Sequence, residues 1–214
     1  MKLMILGATG LVGGHLLRMA LASSAITTVV APVRRPLTTE EPKLSSKLQA
    51  PVIHFNELAS LVQAEQPDAI ICAIGTTIKK AKSKAAFKEV DFSYPLHAAR
   101  AAKEVGTPCF VLNSAMAANP QSRIFYNKVK GELEAALKQL SFASLTIAQP
   151  GLIGGKRNEF RLGESIGLGV LKVLGPVLPK KLRINPAERI AQAMLQAAIQ
   201  QQPGVHYISA AELN

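Results

Sequence analysis

The sequence of 214 residues contains no tryptophan, only two cysteines and 5% aromatic residues. Cys72 and Cys109 each lie in an apolar run, which favours buried free thiols in a reducing compartment over a disulfide or a metal site. The four histidines show no metal-ligand spacing, so no metal is predicted. Because the few aromatic residues do not interleave with a basic stripe, nucleic-acid binding is not predicted either.

Long apolar runs are missing as well. The stretch at residues 166–178 is interrupted by glycine and proline and is shorter than the ~20 residues that a membrane-crossing helix needs. We therefore predict no integral membrane segment. The first apolar run is too short for the core of a secretory signal. These features, together with the free thiols, predict a cytoplasmic protein.

Acidic residues are few, 14 against 25 lysines and arginines, and the formal net charge is +11. The basic residues are spread along the chain, so we assign part of the excess to a phosphorylated cofactor and a small acidic substrate, and the rest to solvated surface. Arg157 and Arg161 are candidates to bind a substrate carboxylate or phosphate. A further group forms either a solvated loop or a rim that attracts an anionic substrate or partner: Lys79, Lys80, Lys82, Lys84 and Lys88.

Strand and helix signals alternate along the chain, which predicts a doubly wound, mostly parallel sheet with helices on both faces, as in Rossmann-like α/β folds. We assign residues 1–214 to one domain. The alternation stops after Gly151, so residues 151–185 are predicted to form a short, variable substrate or lid segment with one amphipathic helix at 164–174. The strands are predicted at residues 3–6, 26–33, 52–55, 69–74, 108–113 and 144–148, with an edge strand at 205–209.

Three glycines follow the first apolar run at the spacing G-x-x-G-x-x-G. Gly7 would let the chain turn off the strand, Gly10 would let backbone N–H groups approach a pyrophosphate, and Gly13 would let the next helix lie close to the sheet. Elsewhere in a chain the pattern would indicate an ordinary glycine-rich loop. At the first strand–helix junction it favours dinucleotide binding by Gly7, Thr9, Gly10, Leu11, Val12 and Gly13.

Arg34 and Arg35 end the second predicted strand, where a dinucleotide fold meets the adenosine ribose. An acidic residue at this place selects NAD, whereas an arginine accommodates the 2′-phosphate of NADP. No acidic residue ends this strand, so NADP(H) is predicted over NAD(H). The alternative is a pair of surface arginines. The sequence does not indicate which of Arg34 and Arg35 contributes more.

Ser114 follows the fifth predicted strand, and Tyr126 and Lys130 lie four residues apart on a predicted helix. That spacing places tyrosine and lysine on one helix face. A lysine ammonium stabilises a phenolate and lowers the tyrosine pKa, while a serine hydroxyl can bind the substrate oxygen. A Y-x-x-x-K pair alone is most simply an ordinary surface pair. With the glycine turn upstream, it predicts a catalytic set of Ser114, Tyr126 and Lys130.

These motifs together resemble the atypical short-chain dehydrogenase/reductases, and among them the oxidoreductase group around the Tat-interacting protein TIP30 (HTATIP). The resemblance is carried by GATGLVG at residues 7–13, CAIGTT at 72–77, FKEVD at 87–91 and FYNKVKGE at 125–132. It covers most of the chain in similar order and spacing.

The resemblance implies further site residues. Ala73, Ile74 and Gly75 would run beside the cofactor, Lys130 would also contact it, and Pro150 would lie near its nicotinamide. Asn56 and Leu58 would contact the adenine edge. Two positions depart from the family pattern: Asp91 replaces a frequent asparagine and cannot donate its hydrogen bonds, and Gln149 replaces a frequent arginine.

The sequence thus predicts an NADP(H)-dependent oxidoreductase that interconverts carbonyl and alcohol on a small substrate, which is anionic if the basic residues serve it. One alternative is an NADP(H)-binding regulatory or scaffold protein without turnover. A second is nucleotide-sugar epimerase or dehydratase chemistry, which uses the same catalytic set. Enzymes of that kind have a larger C-terminal substrate lobe. No oligomeric state is predicted.

Overall fold

The computed structural model describes residues 1–37, 45–154 and 183–214. The predicted helix at 164–174, Arg157 and Arg161 lie outside these residues. The strands are β1 (Lys2–Leu6), β2 (Thr28–Val30), β3 (Leu48–Gln49), β4 (Ala69–Cys72), β5 (Cys109–Asn113), β6 (Ser144–Gln149), β7 (Ile153–Gly154), β8 (Asn185–Pro186) and β9 (Gly204–Ser209). The helices are α1 (Leu11–Ala22), α2 (Leu58–Glu65), α3 (Ile78–Ala81), α4 (Lys84–Lys88), α5 (Tyr94–Glu104), α6 (Phe125–Gln139) and α7 (Ala187–Gln200).

Seven of these strands form one sheet in the order β3-β2-β1-β4-β5-β6-β9. Every neighbouring pair in it is parallel. The predicted doubly wound, Rossmann-like fold is therefore confirmed, including the edge strand near the C-terminus. A separate two-stranded sheet pairs β7 with β8.

The central strands are apolar throughout because both faces of the sheet are covered. In β1, Leu3 and Ile5 pack with α1 and α7 on one face, whereas Met4 and Leu6 pack with α2, α5 and α6 on the other. Alternation of side chains along a strand sends successive residues to opposite faces. Because β1, β4, β5 and β6 are parallel neighbours, their carboxyl ends meet at one edge of the sheet, where the predicted site residues lie.

Several element boundaries differ from the predictions. The second strand is shorter than predicted, since Pro32 cannot donate to a ladder. The third lies at Leu48–Gln49 instead of 52–55, and Val52 forms only a single bridge to Val33. Residues 84–104 do not form one continuous α-helix: a π-helical segment, Glu89–Ser93, joins α4 to α5.

Asn185 lies just before the last helix but does not cap it, because its side chain has other partners. Its amide oxygen accepts from the Gly151 N–H at 2.7 Å, and its amide nitrogen donates to the Ala210 carbonyl at 2.8 Å. Pro186 precedes α7 instead. Among the described residues, no helix combines the length and apolarity required to cross a bilayer.

Candidate active site

Two glycines of the turn, Gly7 and Gly13, lie too close to neighbouring backbone atoms to carry a side chain. Gly7 has a φ of +89°, and a Cβ placed on it would lie 2.8 Å from the carbonyl carbon and oxygen of Ala73. A Cβ on Gly13 would lie 1.9 Å from the Gly7 carbonyl oxygen. The Gly10 N–H donates to the same oxygen at 2.9 Å, which closes the turn. The turn therefore brings the end of β1, the start of α1 and the segment after β4 into contact.

The amino end of α1 opens directly from this turn. Gly10 occupies the N-cap position with extended backbone, no side chain accepts a hydrogen bond there, and the first turn has no acidic residue. The first N–H groups of a helix lack partners within it and carry partial positive charge. Thr9 and Gly10 are exposed beside them. The Val12 side chain is buried in the core, so only its main chain can serve a ligand. This cradle fits a dinucleotide phosphate.

Arg34 borders a cavity of about 410 Å³ beyond the end of β2. Its guanidinium carbon lies 5.4 Å from the centre of the Phe55 ring, and that ring stacks on Tyr94 with centroids 4.6 Å apart. Asn56 also lines the cavity. Arg35 is exposed but is not part of the lining. The structure therefore distinguishes two arginines that the sequence left equal.

Phe55 and Tyr94 were not predicted as site residues because they come from separate segments, one before α2 and the other at the start of α5. Leu58, which the family resemblance placed at the adenine edge, is buried in the core beneath α2. Its side chain is not accessible to a ligand, and Asn56 alone of that pair faces the cavity.

The segment after β4 connects the glycine turn to a buried polar cluster. The Ala73 N–H donates to the Leu6 carbonyl at 2.8 Å, and Ile74 is buried. Gly75 is exposed, and a Cβ on it would lie 3.5 Å from Asp91 Oδ1 and 4.0 Å from Lys130 Nζ. The predicted cofactor residues of this turn thus lie directly beside the predicted catalytic lysine.

Lys130 and Asp91 form a buried ion pair, with Nζ 2.9 Å from Oδ1 and side-chain exposures of 4% and 0%. The other carboxylate oxygen of Asp91 accepts the Thr76 N–H at 2.8 Å. Burial is the largest single influence and lowers the pKa of Lys130. The negative charge of Asp91, and after it Tyr126, act in the opposite direction and together outweigh burial, so the net pKa is raised. Lys130 is therefore a cation across the neutral range.

Tyr126 lies one helical turn before Lys130 on α6 and is 39% exposed. Its ring packs against Phe87 of α4 with centroids 5.9 Å apart. The predicted tyrosine–lysine pair is thus together at the sheet edge, with the lysine buried and the phenol reachable from solvent.

Ser114 is buried, and its hydroxyl donates a hydrogen bond to Oε1 of Glu134. Glu134 also accepts from the side-chain amide of Gln149, at 3.1 Å to each oxygen. The single proton of the serine is therefore directed towards α6 rather than towards an open cleft. Glu134 was not predicted, although the spacing that joins Tyr126 to Lys130 continues to it. Gln149, noted only as a departure from the family pattern, acts as its partner.

Pro150 completes the edge. It is buried, and its carbonyl accepts the Met116 N–H at 2.9 Å, which joins the turns after β5 and β6.

The basic cluster before α5 is largely exposed, as expected of either interpretation. Lys88 pairs with Glu132 at 3.0 Å, and Lys84 lies over the Phe125 ring at 5.4 Å. These contacts place Lys84 and Lys88 against the amino half of α6, which carries Tyr126.

Both cysteines are free and buried, as predicted. Burial raises the pKa of each thiol to about 11. Within residues 1–37, 45–154 and 183–214, no group of histidine, cysteine and carboxylate side chains is arranged to hold a metal ion.

A family model described as NAD(P)H-binding matches residues 7–158. Protein FMP52, mitochondrial, of Lodderomyces elongisporus is 38% identical over 165 residues, covering 74% of this chain and 69% of that protein. Protein FMP52-1, mitochondrial, of Scheffersomyces stipitis is 33% identical over 223 residues, covering 100% of this chain and 97% of that protein. These names contradict the predicted cytoplasmic location, which had rested on arguments against secretion that do not address mitochondria.

Solved structures share the fold. The Bordetella bronchiseptica enzyme WbmH in complex with NAD+ has a TM-score of 0.75 at 18% identity, covering 97% of this chain and 75% of that one. The UDP-Glc/GlcNAc 4-epimerase of Campylobacter jejuni has a TM-score of 0.75 at 15% identity, covering 99% and 81%. The oxidoreductase ylbE of Lactococcus lactis has a TM-score of 0.66 at 20% identity, covering 100% and 94%.

Proposed function

The chain belongs to the family of NAD(P)H-binding proteins, and we propose that it is an NADP(H)-dependent oxidoreductase of the short-chain type. The proposed reaction is reversible interconversion of a carbonyl and an alcohol on a small, anionic substrate. The observation that carries the proposal is the junction at Gly75, where the glycine turn, through Ala73, meets the buried Lys130. The names of the relatives support a mitochondrial location, and the resemblance to the TIP30 group remains a finer hypothesis.

The chain's own residues would bind the cofactor and move a proton. The amino end of α1 would hold the pyrophosphate, and the turn at 73–75 would lie along the nicotinamide half. Nicotinamide, when bound, supplies or accepts the hydride. Tyr126 would give its proton to the substrate oxygen during reduction and take it back during oxidation. Lys130 would bind the cofactor, and whatever part of its charge Asp91 does not offset would stabilise negative charge on the phenol.

The NADP preference rests on Arg34. Its guanidinium borders the cavity beyond β2 and lies over Phe55, where it can pair with a phosphate through a fork of N–H donors. Lys84 and Lys88, beside the amino half of α6, support an anionic substrate through electrostatic attraction.

The hydrogen bond from Ser114 to Glu134 favours a second candidate, nucleotide binding without turnover. A serine that donates its only proton to a buried carboxylate cannot also donate to a substrate carbonyl. If the protein is an enzyme, Ser114 would accept a hydrogen bond from Tyr126 or from a substrate hydroxyl, and Tyr126 alone would supply the proton.

Parallel titration with NADPH and NADH, followed by NADPH oxidation against a panel of carboxylated and phosphorylated carbonyl compounds, tests the proposal. We expect NADPH to bind more tightly than NADH. This preference should be lost in Arg34→Ala and kept in the control Arg35→Ala, and Tyr126→Phe should abolish turnover. Failure to bind either nucleotide would refute nucleotide binding altogether. Binding without turnover, unaffected by Tyr126→Phe, would select the regulatory function.

A further inference from the structure

Asp91 places a buried negative charge against Lys130, the lysine proposed to act on Tyr126. Its carboxylate is completely buried, lies 2.9 Å from Lys130 Nζ and is held by the Thr76 N–H. The π-helical segment that carries it packs against α6. The position of the carboxylate is therefore fixed by the backbone on both sides of the ion pair.

An isolated lysine ammonium would attract negative charge onto a neighbouring phenol. A carboxylate in contact with that ammonium offsets the attraction, because the field of a close ion pair falls off faster with distance than that of a single charge. We propose that Asp91 is a positioning residue that fixes the Lys130 ammonium and offsets its charge at Tyr126. Combined with the proposed function, on which this consequence rests, the offset makes Tyr126 a better proton donor, which favours carbonyl reduction.

Among the described residues, the other groups near Lys130 and Asp91 have smaller electrostatic effects on the Tyr126 phenol. Cys72 of β4 faces Lys130, and burial raises its pKa to about 11, so it is a neutral thiol. Glu134, one turn further along α6, is engaged by Ser114 and Gln149. The Tyr126 ring meets the apolar Phe87. Lys84 and Lys88, on the same helix as Phe87, lie over other rings and are open to solvent, where screening weakens their effect.

The phenol can be titrated directly. The chain has three tyrosines and no tryptophan, so the near-ultraviolet absorbance of tyrosinate is free of indole signal, and subtraction of Tyr126→Phe isolates Tyr126. In Asp91→Asn, which keeps the side-chain shape and can still accept the Thr76 N–H, the Tyr126 midpoint should fall by about one pH unit. An unchanged or higher midpoint would overturn the proposal.

The double variant Asp91→Asn/Lys130→Met provides a second measurement that does not leave a lone buried charge. If the two charges offset each other, its Tyr126 midpoint stays near that of the native protein. A rise of a unit or more would mean that the lysine acted unopposed, and would contradict the proposal. This measurement also decides the matter if Asp91→Asn alone does not fold.

Glu89→Gln is the matched control, since Glu89 lies on the same π-helical segment but hydrogen-bonds Tyr94 at 2.8 Å. Burial foremost, and then Glu89, raises the pKa of Tyr94, so this variant should lower the Tyr94 midpoint and leave that of Tyr126 unchanged. Movement of the Tyr126 midpoint in Glu89→Gln would mean that any carboxylate of the segment acts on it. The titration needs neither nucleotide nor turnover, so its outcome is separate from the fate of the proposed function.

Discussion

Replacing Gly13 by alanine perturbs the contact on which the glycine turn depends. The added Cβ would lie 1.9 Å from the Gly7 carbonyl oxygen, 2.7 Å from its carbon and 2.9 Å from Ala8 Cα. An ordinary carbon–oxygen contact is roughly 3.3 Å. Backbone atoms cannot rotate away, so the turn and α1 would have to separate by about 1.4 Å, the difference between that contact distance and the one in the turn.

Two effects follow from this separation. Overpacking of this kind costs about 1–3 kcal/mol of folding stability. A hydrogen bond from a backbone N–H to a charged group contributes about 1.5–3 kcal/mol, so losing one such bond to the cofactor phosphate weakens binding roughly 10- to 100-fold. Urea unfolding measures the first effect, and NADPH titration by fluorescence measures the second.

Gly14 offers the matched control in the same helix. A Cβ on it would lie 3.8 Å from the Ala8 carbonyl oxygen and 3.9 Å from Arg18 Nη1, which are ordinary contacts. Alanine in a helix interior is favoured over glycine by about 0.5–1 kcal/mol, so Gly14→Ala should stabilise the protein and leave nucleotide binding unchanged. If Gly13→Ala bound NADPH as tightly as the native protein, the assignment of the turn to the pyrophosphate would be refuted.

Two further predictions concern buried groups. Glu134→Ala leaves the Ser114 hydroxyl and the Gln149 amide without their buried acceptor and should cost about 1–3 kcal/mol in urea unfolding, whereas an unchanged midpoint would mean that water replaces the carboxylate. Cys72 and Cys109, with pKa values raised to about 11 by burial, hold only about one thiolate in a thousand at pH 8, so a thiol reagent should label them only as the protein unfolds. Fast labelling of the folded protein would contradict the burial of these thiols.

Local patterns predicted the parts of the site that are contained in one segment. The glycine spacing indicated Gly7 and Gly13 as positions of close backbone approach, and the structure shows that a Cβ on either would meet backbone atoms. The four-residue spacing of Tyr126 and Lys130 likewise placed both on one face of α6. In each case a few neighbouring residues contain the whole geometric requirement.

Local sequence patterns could not predict the contacts between residues that are far apart in the chain. Nothing local indicates that Phe55 stacks on Tyr94, because the pairing depends on how α2 and α5 pack. Ser114 looked like a free donor at a strand end, and its bond to Glu134 arises only when β5 and α6 come together. Asp91 was recognised as unusual, but its ion pair with Lys130 depends on the π-helical segment, which has no sequence signal of its own.

Helix α6 buries both an apolar face and two charged side chains. Val129, Leu133 and Leu137 are buried against the sheet and supply the packing. Lys130 and Glu134 are also buried, although burying charged groups is costly and apolar replacements are often neutral or stabilising. Each charge has acquired partners from a different strand or segment, Asp91 for the lysine and Ser114 with Gln149 for the glutamate. A helix that served only packing would not need this arrangement: the Lys130–Asp91 pair supports the proton chemistry proposed for the sheet edge, whereas the Ser114–Glu134 bond supports nucleotide binding without turnover.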